Sequence, residues 1–322
     1  MSEIVVVDVG GTHARFAIAD IGDGRVRSLS EPCTLRTGDH AGMESAWAEF
    51  RRLSGRALPR EAAIAFAGPV GGETLTLTNS RWEIRPQELR HELGLERLTI
   101  VNDFGAVAHA VAQLDDSNFR HLCGPAGSVP KDGVITIVGP GTGLGVAQLV
   151  RRRESYDVIE TEGGHIDFAP LDAVEDRILA HLRERHGRVS VERLVGGSGL
   201  ANIHAALAAV EGRPVPERDE KELWTSALAG TDSFAAAALD RYCLCLGAIA
   251  GDLALAQGAA GVVVAGGLGL RLAGQLAHSG FGRRFIAKGR FEQHMAAVPV
   301  KLLAFPQPGL FGAAAAFALE HR

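Results

Sequence analysis

Cysteine is scarce in this chain, and its scarcity excludes two ways of stabilising a fold. The 322 residues include four cysteines, at positions 33, 123, 243 and 245. Four scattered cysteines do not make the disulfide framework of a small secreted domain. Cys243 and Cys245 form a pair, but the sequence offers no further cysteine nearby to complete a zinc site. We interpret all four as small, buried apolar residues.

Excess positive charge is also lacking. The chain has 33 Lys and Arg against 38 Asp and Glu, a formal net charge of −5. This balance gives no electrostatic footprint for nucleic acid, so we predict no nucleic-acid partner. A phosphorylated small ligand stays possible, because a local site on an acidic protein can be positive.

Long apolar runs without charge are missing as well. The most apolar stretch, residues 234–260, is interrupted by Asp240, Arg241 and Asp252. It predicts a buried helix and not a membrane span. The N-terminal residues include Glu3 and lack the basic region of a signal peptide. We therefore expect a cytoplasmic protein with no membrane partner.

Two common nucleotide-binding motifs do not occur. The sequence has no Gly-Lys pair, hence no Walker A loop, and no strict Gly-x-Gly-x-x-Gly run. A P-loop NTPase and a Rossmann dinucleotide-binding protein are therefore unsupported. Glycine itself is abundant, with 40 residues. Many cluster directly after apolar strands, which indicates loops whose backbone lies close to a ligand.

Short apolar strands alternate with helical patterns, which indicates an α/β protein with parallel or mixed sheets. Strands are predicted at 4–9, 14–19, 61–66, 74–78, 98–101, 134–138, 146–150 and 261–265, and helices at 43–53, 86–93, 106–114, 171–185, 235–256 and 312–319. Residues 7–19 and 137–149 share one plan of strand, glycine turn and strand. If this repeat is real, it describes two related domains that each present a hairpin turn to a shared cleft.

Two glycine turns are candidate phosphate-binding loops. In the first, Asp8-Val9-Gly10-Gly11-Thr12, backbone N–H groups and the Thr12 hydroxyl can donate to phosphate oxygens, while Asp8 can hold a metal ion or its water. In the second, Gly139-Pro140-Gly141-Thr142-Gly143-Leu144-Gly145, four glycines in seven residues favour close backbone approach. An ordinary hairpin turn is the alternative for both.

A third candidate is Asn102-Asp103, directly after an apolar strand. Ligands of α/β folds bind outside the carboxyl ends of strands. A carboxylate at that place can accept the proton of a substrate hydroxyl during phosphoryl transfer. The alternative is that these residues cap the following helix.

Two further groups of residues carry a weaker signal. Glu162-Gly163-Gly164-His165 and the later Glu192 could accept hydrogen bonds from the hydroxyls of a sugar. Taken singly, each acidic residue or histidine is more simply a solvated or structural side chain. Gly266 and Gly267 follow the strand at 261–265, where flat backbone would let an adenine ring lie against the chain. A plain strand-to-helix turn is the alternative there.

The order of these motifs resembles that of the bacterial glucokinases of the non-ROK type, within the hexokinase and actin-like ATPase superfamily. The resemblance extends from Ile4 to the C-terminal helix. The run from Glu162 to Pro170 is the most specific part of it. The matching motifs are Asp8-Val9-Gly10-Gly11-Thr12-x-Ala14-Arg15, Thr78-Asn79-x-x-Trp82, Val101-Asn102-Asp103-Phe104, Gly141-Thr142-Gly143-Leu144-Gly145, Glu162-Gly163-Gly164-His165-x-Asp167-Phe168-Ala169-Pro170, Glu192-Arg193, Ala265-Gly266-Gly267, Lys288-Gly289-Arg290-Phe291 and Pro308-Gly309-Leu310.

The resemblance implies roles for some of the matching residues. Asp103 would be the general base toward the sugar 6-hydroxyl. The implied sugar ligands are Asn79, Asn102, Asp103, Glu162, His165 and Glu192. The implied ATP-binding residues are Asp8, Gly10, Gly11, Thr12, Gly141, Thr142, Gly143, Gly266 and Gly267. Asp8 would act on Mg²⁺, through water.

The resemblance also implies an architecture and a reaction. The fold would be a two-domain actin-like ATPase (ribonuclease H-like) fold with a cleft between the domains. A small domain would span 1–108, completed by the helix at 308–322, and a large domain 109–307. The reaction would be ATP-dependent phosphorylation of glucose to glucose 6-phosphate and ADP, the entry step of glycolysis, in a homodimer.

The sequence departs from the family at two places and leaves two rival functions. The loop Ser80-Arg81 differs from the family pattern, although Asn79 and Trp82 are present. His13 stands where the family usually has Asn. The cysteine-rich zinc motif of ROK kinases is absent, since no cysteine lies between Cys123 and Cys243. A sugar-responsive regulatory protein is disfavoured by Asp103 and by the lack of a basic helix-turn-helix before Ile4. A phosphohydrolase or chaperone-like ATPase of the same superfamily is the second rival. It is disfavoured by the hydroxyl-binding residues Asn102, Glu162, His165 and Glu192.

Overall fold

The computed structural model describes residues 2–77, 81–153, 155–214 and 219–322. The chain divides into two compact units. The first comprises Met1–Asp115, Val158–Glu160 and Phe305–Arg322, and the second comprises Asp116–Asp157 and Thr161–Ala304. The domain bounds implied by the resemblance, 1–108 with 308–322 and 109–307, stay a prediction.

The first unit is built on one mixed sheet in the order β3-β2-β1-β5-β8, with β4 beside β2. Its strands are β1 (Ser2–Val9), β2 (His13–Gly22), β3 (Arg25–Leu29), β4 (Cys33–Arg36), β5 (Glu61–Phe66) and β8 (Arg97–Asn102), and β6 (Leu75–Thr76) and β7 (Glu83–Ile84) form a separate pair. Its helices are α1 (Met43–Ser54), α2 (Pro86–Glu92), α3 (Asp103–Gln113) and the C-terminal helix (Pro308–Glu320). β1 runs antiparallel to β2 and parallel to β5, which in turn is parallel to β8.

β1 is apolar without a break from Ile4 to Val7 because both faces of its sheet are covered. Val5, Val7 and Val9 pack into one hydrophobic cluster, which includes Trp47 of α1. The alternate residues of the strand pack into a second cluster with the C-terminal helix. A continuous apolar run, and not an alternating one, is therefore what this position in the fold requires.

The C-terminal helix is rich in alanine because it packs closely on α3. A methyl group on Gly312 would lie 1.7 Å from the carbonyl oxygen of Ala106. Ala313, Ala314 and Phe317 are buried in the same contact region. Small side chains let the two helix backbones approach and bring the end of the chain onto the first sheet.

The second unit has a sheet in the order β12-β11-β10-β13-β14-β9. Its strands are β9 (Phe119–Cys123), β10 (Gly133–Pro140), β11 (Leu144–Arg152), β12 (Ser155–Thr161, of which Val158–Glu160 groups with the first unit), β13 (Ala259–Val264) and β14 (Val300–Leu303). Its helices are α4 (Ala173–His186), α5 (Glu192–Val195), α6 (Gly199–Val210), α7 (Glu220–Ala229), α8 (Ser233–Gln257), α9 (Gly266–Arg271), α10 (Ala273–His278), α11 (Phe281–Ile286) and α12 (Glu292–Ala296).

Helix α8 is the core of the second unit. It is the one helix among the described residues that is long and apolar enough to cross a membrane. Of its most apolar window, 67% is buried inside the structure, as in the core helix of a globular unit. Tyr242 and Leu246 are fully buried in the main hydrophobic cluster. The prediction of a buried helix at 235–256 is confirmed.

The two sheets follow the same plan, as the repeat at 7–19 and 137–149 predicts. In each, a central strand (β1 or β10) forms a hairpin with the next strand through a glycine turn. Each central strand is also parallel to a later strand, β5 or β13, which is parallel in turn to β8 or β14. The predicted α/β class is confirmed.

Several element ends differ from the sequence predictions, and two cases concern α3 and the strand at 74–78. Helix α3 begins at Asp103 and not at 106, because Asn102 caps it directly after β8. Of the strand predicted at 74–78, the described residues 74–77 contain strand at Leu75–Thr76, which pairs with β7. The other predicted strands and helices are present, with ends shifted by up to about four residues.

A buried carboxylate holds three helices of the second unit together. Glu175 of α4 is fully buried, and its carboxylate accepts from Arg284 Nη2 at 2.7 Å and from Arg241 Nη1 at 3.1 Å. The backbone N–H of Leu171 donates to it as well, at 2.8 Å. Removing one member of such a buried pair leaves an uncompensated charge.

We therefore expect Glu175→Gln to lower the free energy of unfolding by about 3 kcal/mol. Asp176→Asn, on the same helix but exposed, is the matched control and should change it by less than about 0.5 kcal/mol. Urea unfolding followed by circular dichroism measures both variants. Equal effects of the two substitutions would contradict this account of the cluster.

Candidate active site

The first glycine turn joins β1 to β2 and is held by a neighbouring loop. Gly10 N donates to His13 O at 2.9 Å and closes the turn. Thr37 donates through its hydroxyl to Gly11 O at 2.8 Å and through its N–H to Thr12 O at 3.1 Å. Trp82 Nε1 in turn donates to Thr37 O at 3.1 Å. The loop engages the carbonyl oxygens of Gly11 and Thr12, which fixes the turn at the end of the sheet.

Asp8 lies at the end of β1 beside the first turn of the C-terminal helix. Its Oδ2 is 3.4 Å from Arg15 Nη1. A methyl group on Gly309 would come within 2.9 Å of the carboxylate, so glycine at that position leaves room for Asp8. Burial raises the pKa of Asp8, and the Arg15 guanidinium opposes that rise. A partly desolvated carboxylate of this kind gains from a cationic partner.

Asn102 and Asp103 form the N-terminus of α3, and the helix-cap interpretation is confirmed for Asn102. Asn102 is the N-cap: its side-chain oxygen accepts from Phe104 N at 2.9 Å and Gly105 N at 3.1 Å. Its side-chain amide donates to Gly68 O at 3.0 Å. Asp103 is the first helical residue and is half-buried. The capping residue thus orients the carboxylate that follows it.

The second glycine turn joins β10 to β11 and lies against Glu192. Gly141 N donates to Gly143 O at 2.9 Å, and Thr142 O accepts from Gly197 N at 3.0 Å. Glu192 Oε2 accepts from Leu144 N at 3.1 Å, and a methyl group on Gly143 would lie 2.1 Å from that oxygen. Glycine at 143 is therefore required by the approach of the Glu192 side chain.

The segment from Glu162 to Pro170 runs beside the residues that precede Glu192. Ile166 O accepts from Val191 N at 2.9 Å, and Phe168 N donates to Val189 O at 3.1 Å. These bonds bring the segment that carries Glu162 and His165 alongside the segment that leads into Glu192. The side chains of Glu162 and His165 are exposed, and Glu192 is half-buried.

The predicted adenosine residues open helix α9. Gly266 has a φ of +84°, and a methyl group on it would lie 2.8 Å from Pro140 O, so only glycine fits without strain. By contrast, a methyl group on Gly267 or Gly141 would meet nothing within 4 Å. Packing within the described residues does not require glycine at these two positions, whereas a ligand lying on the backbone would.

The sheet of the first unit brings its predicted site residues to one edge. Val9, Phe66 and Asn102 are aligned across the parallel strands β1, β5 and β8. The glycine turn after β1 and the helix after β8 therefore begin at the same edge. In the second unit, Val138 and Val264 are aligned in the same way before the second turn and Gly266. Asn79 lies outside the described residues.

Several contacts in these loops involve residues that the sequence analysis missed. Glu160 Oε1 accepts from Asn102 N at 2.8 Å. Arg188 pairs with Asp167 at 2.6 Å and donates to His165 O at 2.5 Å. Glu160 stands two residues before the Glu162 motif, and Arg188 four residues before Glu192. Their nearness to recognised motifs was the only signal, and it does not identify a partner.

Among the residues that the structure describes, no group of three or more His, Cys, Asp or Glu side chains could hold a metal ion. A single carboxylate such as Asp8 still fits Mg²⁺. That ion keeps several waters and is usually bound through one or two carboxylates plus substrate phosphates. The Asp8 carboxylate beside the first glycine turn supplies such a donor.

Comparison with known proteins decides the family. Residues 5–320 match the family model for Glucokinase. A glucokinase from Zymomonas mobilis subsp. mobilis is 60% identical over 319 residues, which cover 99% of this chain and 98% of that protein. The chain belongs to the glucokinase family.

Solved structures agree with this placement. A glucokinase from an Antarctic psychrotroph is 34% identical, with a TM-score of 0.86 and 98% of each chain covered. A glucokinase from Balamuthia mandrillaris, solved in complex with glucose, has a TM-score of 0.79 over 99% of this chain and 94% of that one. At 20% identity, the second likeness shows the fold alone. The predicted actin-like ATPase fold of a glucokinase is confirmed.

The open space at Gly141 generates a prediction. Gly141→Ala should leave thermal stability unchanged, because the added methyl group meets nothing within 4 Å. It should raise the KM for ATP about tenfold if phosphate lies on this turn, since overpacking costs about 1–3 kcal/mol. Gly274→Ala is the control, because Gly274 is also open and is itself exposed, on α10. An unchanged KM in both variants would contradict nucleotide binding at Gly141.

Proposed function

We propose that this chain is an ATP-dependent glucokinase that transfers the γ-phosphoryl group of ATP to the 6-hydroxyl of glucose. The observation that carries the proposal is the 60% identity to a glucokinase across 99% of the chain. The placement of Asp103 at the same edge of the sheet as a glycine turn supports it chemically. Glucose 6-phosphate and ADP are the products, and the reaction is the entry step of glycolysis.

Asp103 acts as the general base. The oxygen of the 6-hydroxyl forms a bond to the γ-phosphorus, the bond between that phosphorus and the β-γ bridging oxygen breaks, and the hydroxyl proton passes to the Asp103 carboxylate. Phosphoryl transfer depends mainly on positioning and charge stabilisation. Its place as the first residue of α3, held by the Asn102 cap, supports a fixed orientation for this carboxylate.

The other glucose hydroxyls are held by Asn79, Asn102, Glu162, His165 and Glu192. Glu162 and Glu192 can each accept two or more hydroxyl hydrogen bonds. The Asn102 side-chain oxygen already accepts two backbone N–H groups. Asn102 therefore donates to the sugar. It does so through the second N–H of its side-chain amide, since the first donates to Gly68 O. Direct ligand contact and helix capping are compatible on this one side chain.

The two glycine turns, 10–12 and 141–143, contact the ATP phosphates through backbone N–H groups. Gly266 and Gly267 line the adenosine site. When bound, Mg²⁺ would neutralise phosphate charge, and Asp8 would hold it through water. We also propose a cytoplasmic homodimer, on the family resemblance, and native mass spectrometry tests the dimer.

Asp103→Asn tests the catalytic role. It should lower kcat by about 10²–10⁴-fold, because the amide cannot accept the proton. Glucose binding, measured by calorimetry, should persist. Asp176→Asn serves as an exposed control. Full turnover in Asp103→Asn would contradict the assignment, and sugar-independent ADP release by the wild type would favour the rival ATPase.

Asp8→Asn tests the magnesium role. It should raise the Mg²⁺ concentration for half-maximal activity about tenfold, because support of a bound metal is lost. The control is Asp20→Asn, an exposed carboxylate on the same hairpin. A Mg²⁺ titration at fixed ATP, with fluorescence of a bound nucleotide analogue as a second readout, measures the shift. Identical titrations for Asp8→Asn and wild type would contradict this role.

A further inference from the structure

Glu160 makes a contact at the helix that carries the proposed base. Its Oε1 accepts the backbone N–H of Asn102 at 2.8 Å, across 58 positions of sequence. Asn102 immediately precedes Asp103, so this bond reaches the peptide next to the base. The Glu160 side chain is otherwise exposed. An exposed glutamate loses side-chain entropy when it is held in one place, so a maintained contact at this location is informative.

Gly105 supplies a second, independent observation. A methyl group at this position would lie 2.4 Å from Glu160 Oε1 and 2.9 Å from Glu160 Cγ. Glycine inside a helix costs about 0.5–1 kcal/mol relative to alanine. Its presence in the first turn of α3 is what leaves room for the Glu160 side chain.

The N-cap residue is held from two sides as a result. The side-chain amide of Asn102 donates to Gly68 O at 3.0 Å, and its backbone N–H donates to Glu160. Its side-chain oxygen caps Phe104 and Gly105. Positive charge at the helix N-terminus also favours a carboxylate there. Removing Glu160 takes away one of the two hydrogen bonds that tie Asn102 to residues outside α3.

We propose that Glu160 is a positioning residue for catalysis: its carboxylate holds the Asn102 N–H and, with Gly105 making room, fixes the first turn of α3 so that Asp103 meets the attacking hydroxyl. The proposal rests on the proposed role of Asp103 as general base. A displacement of about 1 Å at a catalytic group can cost about 10²-fold in rate. Loss of this anchor therefore acts on turnover more than on folding.

Two substitutions at Glu160 test the contact. Glu160→Ala should lower kcat about tenfold or more, with a smaller change in the glucose KM and in the thermal midpoint. Glu160→Gln keeps an acceptor oxygen at the same place and should restore kcat to within about threefold of wild type. Asp157→Ala, an exposed carboxylate on the same strand, is the control and should leave kcat unchanged.

Gly105→Ala probes the same contact from the other side. It should lower kcat as Glu160→Ala does, although alanine favours the helix. In the double variant Glu160→Ala with Gly105→Ala, the added methyl group has space because the Glu160 carboxylate is gone. The two decreases in kcat should therefore not multiply. Multiplying losses, or a Glu160→Ala variant with wild-type kcat, would overturn the proposal. Equal losses in Glu160→Gln and Glu160→Ala would also overturn it.

The same assay separates this inference from the proposed function. An active wild type with an inactive Asp103→Asn variant upholds the function, whatever the Glu160 variants show. If Glu160→Ala then keeps full turnover, the inference alone fails. A wild type that forms no glucose 6-phosphate overturns both.

Discussion

Parallel register among β1, β5 and β8 is the constraint on which the candidate site of the first unit depends. Because Val9, Phe66 and Asn102 are aligned across the sheet, the chain leaves these strands at one edge. A slip of one residue in β8 would move its side chains to the opposite face. Two buried clusters, one on each face of β1, hold that register. Core packing thus determines where Asp8 and Asp103 lie.

The second unit has the same strand plan, but its glycine turn has different neighbours. Its hairpin turn is shaped by contact with Glu192, and Gly143 is required by that contact. Two segments that follow β10 much later in the sequence, 162–170 and 189–192, lie side by side and are joined by backbone hydrogen bonds. The repeated strand order explains why two glycine turns occur in one chain. The loops added to each repeat explain why their surroundings differ.

Much of this arrangement could be predicted from the sequence, for identifiable reasons. β1 and β5 each contain a continuous apolar run that is followed within three residues by glycine, and α8 has an apolar pattern far longer than a strand. Asn102 fits a helix cap, and Asp103 fits a base. The structure confirms the cap at Asn102 and has Asp103 next to it as the first helical residue. The cap therefore does not exclude the proposed role of Asp103 as base.

Other features lacked a local signal. Helices α9 to α12 have five or six residues each, too few for a helical period to emerge. Glu160 is an exposed residue in a strand, and its partner lies 58 positions away. Glycine at 105 looks like a weak point in a helix until the Glu160 carboxylate is placed beside it. Such pairings depend on tertiary structure and not on the pattern of either segment.

The central claim is that the carboxylate at the start of α3 directs phosphoryl transfer to a sugar hydroxyl. Phosphorus NMR of the protein with ATP, Mg²⁺ and glucose follows all products at once. The account predicts that glucose 6-phosphate and ADP appear in equal amounts, and that neither forms without sugar. Inorganic phosphate in place of the sugar phosphate, or no turnover while glucose is bound, would contradict it.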